Sequence, residues 1–597
     1  MTSVELTAQE KKVLDALRHE VHMIGPLAHL KDMVTRVETG YGEQRVAFVE
    51  KQKLKGREFE VVSHTIGEFK EKRAALGTAL TAMGLKGKHI AIIGETSFNW
   101  ILSFYATVCG VGVAVPLDKE MTDEEISHLI EKADCDAVFC SKTYFKAAKA
   151  HMDAHPDCVC CVTFNKEVSE DRYFTIDALI EKGKSLIAEG NRDYIDSEVN
   201  PEDLCAIIFT SGTTGANKGV MLSHRNFCAN VDNVIETIPT EYSSFSLLPI
   251  NHVFELSCNI MVAFYMNAVI YINDSLKNIL PNIQLFQPDA MNAVPLVLEG
   301  IYNGIWAKAK EGGKDEILKK LVKVSNKMRK YGIDLRHVLF KTISKSFGNR
   351  FPTLICGGAP SRKDYVTGLG DMGFRVYNGY GLTETAPSVT LNMQADKDPT
   401  SAGFALPRCE FRINEPDADG VGEIWVKGTN VFSGYYKDEE ATAASFEGEW
   451  FKTGDYGTAT AEGELFVVGR KKTLIILDNG KNVFPEDIEF AVMDNLPYIR
   501  EACALEAEKE IAGELRKIIA VVIYVEPADF EGMTEEEIKK KVADDVYNDV
   551  NRKMISYKKV QDVLVVFNEF EKTTTRKVIR QKVTDAYNAA VKTAAMV

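Results

Sequence analysis

Between residues 89 and 139 short apolar runs alternate with helical patterns, and that alternation leaves few architectures open. His89-Ile90-Ala91-Ile92-Ile93-Gly94 reads as a strand closed by glycine, 97–109 as a mostly apolar helix, and Gly112-Val113-Ala114-Val115-Pro116-Leu117 as the next strand. Thr122 and Glu125 have the spacing of a reciprocal helix cap, and Cys135-Asp136-Ala137-Val138-Phe139 is a further strand. Repeated strand and helix predicts an α/β class, a layered domain with a mainly parallel sheet. At 597 residues the chain exceeds what one core supports, so a second domain is expected. The tail past about residue 473 reads as a small α+β unit. Its strands are 518–525 and 563–567, and Thr534 with Glu537 caps a helix striped by Ile538, Val542, Val546 and Val550. A polar turn, Gly469-Arg470-Lys471-Lys472-Thr473, is the candidate joint. The expected division is 1–470 for a large multi-layer α/β domain, 471–473 for a hinge and 474–597 for the small domain. The first twenty-odd residues, with Val4, Leu6, Val13, Leu14, Leu17 and Val21, read as an amphipathic helix.

Charge narrows the partners. A formal net charge of −15 gives no positive field to draw in a phosphate backbone, so no nucleic acid is expected. Met1-Thr2-Ser3-Val4-Glu5-Leu6 lacks the layout of a signal peptide, and the most apolar stretch, 258–272, is short for a bilayer span. A cytoplasmic, reducing home is the expectation, and the twelve scattered cysteines fit it. His151, His155, Cys158, Cys160 and Cys161 cluster as a zinc site would. The run 158–164 reads better as a buried strand, with Cys160 and Cys161 on opposite faces. Residues 306–350 are rich in lysine. That segment could rest on an anionic membrane as a peripheral contact, but the favoured reading is a solvated helix whose buried side carries Ile317, Leu321, Val324 and Met328.

The chemistry concentrates after the strand 204–209, in Thr210-Ser211-Gly212-Thr213-Thr214-Gly215-Ala216-Asn217-Lys218-Gly219. Glycines let backbone amides approach oxygen atoms, hydroxyls donate, and a lysine supplies a point charge, which together suit a polyphosphate. A P-loop needs glycine directly before the lysine and a hydroxyl directly after it. Here Asn217 precedes and Gly219 follows. Nor does Asp419-Gly420 have the upstream lysine of a nucleic-acid ligase, since Asp417 stands there.

This loop resembles the signature of the adenylate-forming, AMP-binding superfamily, which includes acyl-CoA synthetases. Further stretches follow in the superfamily's order: Leu248-Pro249-Ile250-Asn251-His252-Val253-Phe254-Glu255, Gly357-Gly358-Ala359-Pro360, Tyr377-Asn378-Gly379-Tyr380-Gly381-Leu382-Thr383-Glu384-Thr385, Trp450-Phe451-Lys452-Thr453-Gly454-Asp455, Gly469-Arg470-Lys471-Lys472 and 572–578. The segment between the His252 motif and Gly357 resembles long-chain fatty acyl-CoA synthetases. The resemblance implies ATP, Mg²⁺ and coenzyme A as cofactor and co-substrates, a medium- or long-chain fatty acid as substrate, and a mobile C-terminal domain.

It also implies roles. Lys577 would bridge the α-phosphate and the attacking carboxylate, and Thr383 would bond that phosphate. Glu384 and Thr213 would ligate Mg²⁺. Thr210, Ser211, Gly212, Thr214, Gly215 and Lys218 would cradle the phosphates. Tyr380 would stack on adenine, with Asn378, Gly379 and Gly358 lining the base pocket. Asp455 would accept the ribose hydroxyls, and Arg470 and Lys472 would hold the ribose and phosphate side. His252 and Ala359 would bound the acid pocket, and Gly480 would leave room for the thiol arm of coenzyme A. Two positions depart from the pattern: Thr473 replaces the usual hinge aspartate and Arg576 the usual glycine before the C-terminal lysine. Two rival readings stand beside the main one, transfer to an acyl carrier protein and a non-catalytic nucleotide or acyl-AMP sensor.

Overall fold

The computed structural model describes residues 26–53, 59–168, 171–211, 217–239, 243–348, 350–394, 398–478, 481–511, 514–573 and 577–595. The helix expected near the N-terminus lies outside them. The chain forms two compact units, residues 1–411 with 426–451, and residues 412–425 with 452–597.

The first unit is built on two large sheets. In the eight-stranded sheet the order is Gly434–Tyr435, Asn217–Ser223, Leu204–Ser211, Val113–Pro116, His89–Ile93, Cys135–Cys140, Cys160–Thr163, Tyr173–Thr175. From Leu204–Ser211 onward the neighbours run parallel, and the other end is antiparallel. The strands expected from the sequence between 89 and 140 all form here. The crossover helices start where the sequence supplies caps: Ser97 accepts from the amide of Trp100, and Thr122 and Glu125 make both bonds of a capping box. Cys160 and Cys161 point into two different apolar clusters, as strand alternation requires.

The nine-stranded sheet carries Thr353–Cys356 and Arg375–Gly381 as parallel neighbours, with Ala290–Ala293 on the far side of the former and Ser388–Asn392 antiparallel to the latter. Its core includes Phe48, Phe69 and Phe264, with ring centroids 5.1–5.8 Å apart. The stretch 258–272 breaks into short helical turns and the strand Val269–Ile272. Among the described residues no helix is long and apolar enough to cross a membrane.

One expectation fails in the lysine-rich segment. Its helix Asp315–Arg329 buries Leu318 and Ser325, not Ile317 and Val324, which are 56% and 50% exposed. Leu321 and Met328 are only half-buried. The cause is polar. Asn326 donates to Asp371 at 2.7 Å and Arg329 to the same carboxylate at 3.2 Å, and these bonds rotate the helix about its axis.

In the second unit Ile499–Ile511 pairs antiparallel with Glu514–Val525, which pairs parallel with Asp562–Val566. The helix Glu535–Asp545 opens with the Thr534–Glu537 capping box. Ile538, Val542, Val546 and Val550 are all buried, the stripe read from the sequence.

Candidate active site

The phosphate-loop sequence closes a hairpin, with Thr210 opposite Lys218 and Ser211 opposite Asn217. Gly212, Thr213, Thr214 and Gly215 lie outside the described residues, as does the side chain of Ser211. Lys132 donates to the carbonyl of Asn217 at 2.6 Å and fixes one rim. The ammonium of Lys218 sits 4.4 Å from the centroid of the Tyr435 ring, within cation–π range. The hydroxyl of Tyr435 in turn donates to Glu384 Oε1 at 2.9 Å. Burial, with the Glu384 charge second, pushes this phenol far above its ordinary range, so it stays a donor. The backbone locks the arrangement: Phe432 N–H donates to the Glu384 carbonyl at 2.8 Å, and Tyr435 N–H to Thr442 Oγ1 at 2.9 Å.

Gly358 follows the strand Thr353–Cys356 at φ +84°, a left-handed conformation that favours glycine, and both it and Ala359 are exposed. In the next strand Asn378 lies in register with Cys356, Gly379 with Leu391 and Tyr380 with Thr390. Asn378 Nδ2 donates to the Pro399 carbonyl at 3.1 Å, whereas its Oδ1 is a buried acceptor with no partner among the described residues. At Gly381 a Cβ would meet the Pro387 carbonyl oxygen at 1.9 Å, so only glycine lets the chain pass into the turn of Thr383–Thr385. Thr383 and Glu384 leave that turn together. His252 stands before the short turn Val253–Glu255, its Nε2 3.8 Å from Asp118 Oδ2. Glu255 is fully buried, and burial pushes its carboxyl up to about 7.

In the second unit Asp455 and Arg470 face each other across a hairpin, with Arg470 Nε 3.1 Å from Asp455 Oδ1. The Asp455 amide donates to Thr453 Oγ1 at 3.0 Å, and Asp455 is 3% exposed. Lys471–Thr473 form one tight turn, with Lys471 paired to Glu423 at 3.1 Å and Lys472 exposed. Ile475–Ile476 pairs with Asn482–Val483, and Gly480 between them lies outside the described residues. Lys577 is held by its backbone: Thr573 N–H donates to its carbonyl at 2.8 Å, and its own N–H to Thr573 Oγ1 at 3.2 Å. Its side chain keeps solvent access. The surrounding protein still strips enough water to lower its ammonium to about 8, helped by the Arg470 cation and opposed by Asp455. Arg576 lies outside the described residues.

These groups suit a purine nucleotide and a hard cation. The orphan Asn378 Oδ1 offers the acceptor that an amino group on a base needs, and Glu384 offers the carboxylate oxygen that Mg²⁺ takes. Residues 37–436 match the model of the AMP-binding enzyme family, and residues 472–595 match that of the AMP-binding enzyme C-terminal domain. The chain belongs to the AMP-binding enzyme family. Within the family it is 27% identical over 486 residues to the long-chain-fatty-acid–CoA ligase FadD15 of Mycobacterium bovis, covering 78% of each chain. It is 26% identical over 524 residues to long-chain-fatty-acid–CoA ligase 1 of Homo sapiens, covering 80% of this chain and 73% of the relative. The fold matches the crystal structure of the anthranilate CoA ligase AuaEII with anthranoyl-AMP, at TM-score 0.74 and 18% identity over 95% of this chain and 99% of that one. As in such adenylate-forming enzymes, a large α/β domain precedes a small C-terminal one.

Three partners escaped the sequence reading of this AMP-binding enzyme. Tyr435 holds Glu384, Asp118 faces His252, and Thr453 accepts from the Asp455 amide. Thr453 stood within the stretch 450–455 already singled out, Tyr435 is the first of two tyrosines directly after Ser433-Gly434, and Asp118 left no signal.

Proposed function

We propose that this adenylate-forming enzyme activates a medium- or long-chain fatty acid and passes it to coenzyme A. The observation that carries the reading is the series Lys218, Tyr435 and Glu384 in the first unit, together with the weakly basic Lys577 in the second. In the first step a carboxylate oxygen bonds to the α-phosphorus of ATP and the bond to pyrophosphate breaks, leaving acyl-AMP. Two anions must meet, so positive charge has to be placed around the phosphorus in advance. Lys577 supplies it at the α-phosphate, bridging to the carboxylate, with Thr383 donating alongside. Lys218 and the hydroxyls and amides of Thr210, Ser211, Gly212, Thr214 and Gly215 hold the outer phosphates. Glu384 and Thr213 would hold Mg²⁺, whose charge would offset that of the departing pyrophosphate.

Asn378, Gly379, Gly358 and Tyr380 take the base. Asp455 accepts the ribose hydroxyls, with Arg470 and Lys472 beside it. In the second step the sulfur of coenzyme A bonds to the acyl carbon, AMP leaves and the thiol proton passes to solvent. Gly480 gives the thiol arm room, and His252 with Ala359 bounds the acid. The ligases of M. bovis and H. sapiens support the fatty acid, as does the resemblance of the segment between the His252 motif and Gly357 to long-chain synthetases. ATP–pyrophosphate exchange across a panel of acids tests the reaction and substrate together. Fatty acids should give the highest exchange, and once coenzyme A is added AMP should be the only nucleotide product. Release of ADP, or a maximum on acetate or an amino acid, would overturn the reading. A thioester assay offering coenzyme A and an acyl carrier protein separates the acceptors.

A further inference from the structure

We infer that the outward face of the helix Asp315–Arg329, with the turn that follows it, is a docking surface for bilayers carrying acidic phospholipid. Two observations made independently of the active site meet here. First, residues 306–350 hold thirteen lysines and arginines against four aspartates and glutamates, a surplus of nine cations in a chain whose net charge is −15. Three of the acids nearby are occupied: Glu316 pairs with Lys319 at 2.7 Å, Asp334 with Arg336 at 2.7 Å, and Asp371 with Arg329 at 3.2 Å. Lys320 and Lys327 are exposed and have no ion pair among the described residues. Second, the rotation of this helix turns apolar side chains outward beside those lysines. Ile317, Val324 and Tyr331 recur every seven residues, two helical turns, and are 56%, 50% and 73% exposed. Lys320 and Lys327 fall between them on the same stripe.

An ordinary solvated face would carry polar groups at these positions, so the alternation needs an environment that accepts both kinds. A polyanion such as nucleic acid would use the lysines and gain nothing from isoleucine, valine and tyrosine. The bilayer interface uses both, because apolar groups sink below the phosphates while lysines reach up to them.

The test is co-sedimentation of the full chain with vesicles of phosphatidylcholine alone and of phosphatidylcholine mixed with phosphatidylglycerol. Binding is expected only to the anionic vesicles and should weaken as salt is raised. Each lysine near such a surface contributes about a fivefold factor, so Lys320→Gln with Lys327→Gln should weaken binding roughly 25-fold. Ile317→Ser with Val324→Ser should weaken it as well, because exposed positions tolerate serine without unfolding. Circular dichroism melting checks that both variants keep the parent's stability. Three results overturn the inference: equal sedimentation with both vesicle types, binding unchanged in the serine variant, or loss of a dimer on gel filtration in either variant, which would make the face a contact between copies.

Discussion

Tyr435 positions two charged groups at once, which makes it the most informative residue to change. Its ring lies under the Lys218 ammonium, and its hydroxyl holds Glu384. Tyr435→Phe keeps the ring and removes only a hydrogen bond to a charged acceptor, a change of about 1.5–3 kcal/mol. The expected result is roughly a ten- to hundredfold higher Mg²⁺ concentration for half-maximal pyrophosphate exchange, with nucleotide binding measured without metal unchanged. Tyr435→Leu removes the ring as well and should weaken that metal-free binding too. An unchanged Mg²⁺ dependence in the phenylalanine variant would remove the hydroxyl from metal positioning. Lys577 makes a second prediction through its pKa. Burial favours the neutral amine, so the ammonium that bridges phosphate and carboxylate is present below about pH 8 and lost above it. The kcat/KM for ATP in exchange should therefore fall on the alkaline side near that value. Lys577→Arg, whose guanidinium stays charged, should move the limb to higher pH, and a limb left in place would assign it to another group.

At the scale of elements, the helices Ile66–Ala82 and Ile176–Ala188 cross where Gly183 meets the backbone of Ala75. A Cβ there would lie 1.8 Å from the Ala75 carbonyl oxygen. Gly183→Ala must push the helices apart, so the first unit should lose about 1–3 kcal/mol, read as a lower denaturant midpoint. A midpoint equal to the parent's would mean that the crossing gives way cheaply. This contact was invisible in the sequence, which shows only one glycine within a helical pattern. What could be read were features set locally. The strands around residues 89–140 and the capping box at Thr122 depend on neighbours a few residues away. The stripe from Ile538 to Val550 was legible because one apolar face met one core. The helix Asp315–Arg329 was misread because Asp371, more than forty residues on, chose its rotation through Asn326 and Arg329. The same limit hid the partners of Glu384 and His252. Motif order gave only the candidate residues, and Tyr435 and Asp118 reach Glu384 and His252 through packing that no spacing records.

At the scale of the whole molecule, the proposed roles fall in two bodies. Glu384, Lys218 and Asn378 belong to the first unit, and Asp455, Arg470 and Lys577 to the second. If Lys577 serves only where the two anions meet, its removal should separate the half-reactions. Lys577→Ala deletes one preplaced positive group at the developing charge, and the loss of one such group costs about 10²–10³-fold. Acyl-AMP formation, followed as pyrophosphate exchange, should fall by that factor. Acyl-CoA formation from supplied acyl-AMP needs no charge at that position, because the phosphorus is no longer attacked, and it should stay near the parent rate. The side chain packs into no apolar cluster, so its truncation should leave the melting temperature unchanged. Equal loss in both half-reactions would show that the lysine, and the unit carrying it, acts in the same way throughout the cycle.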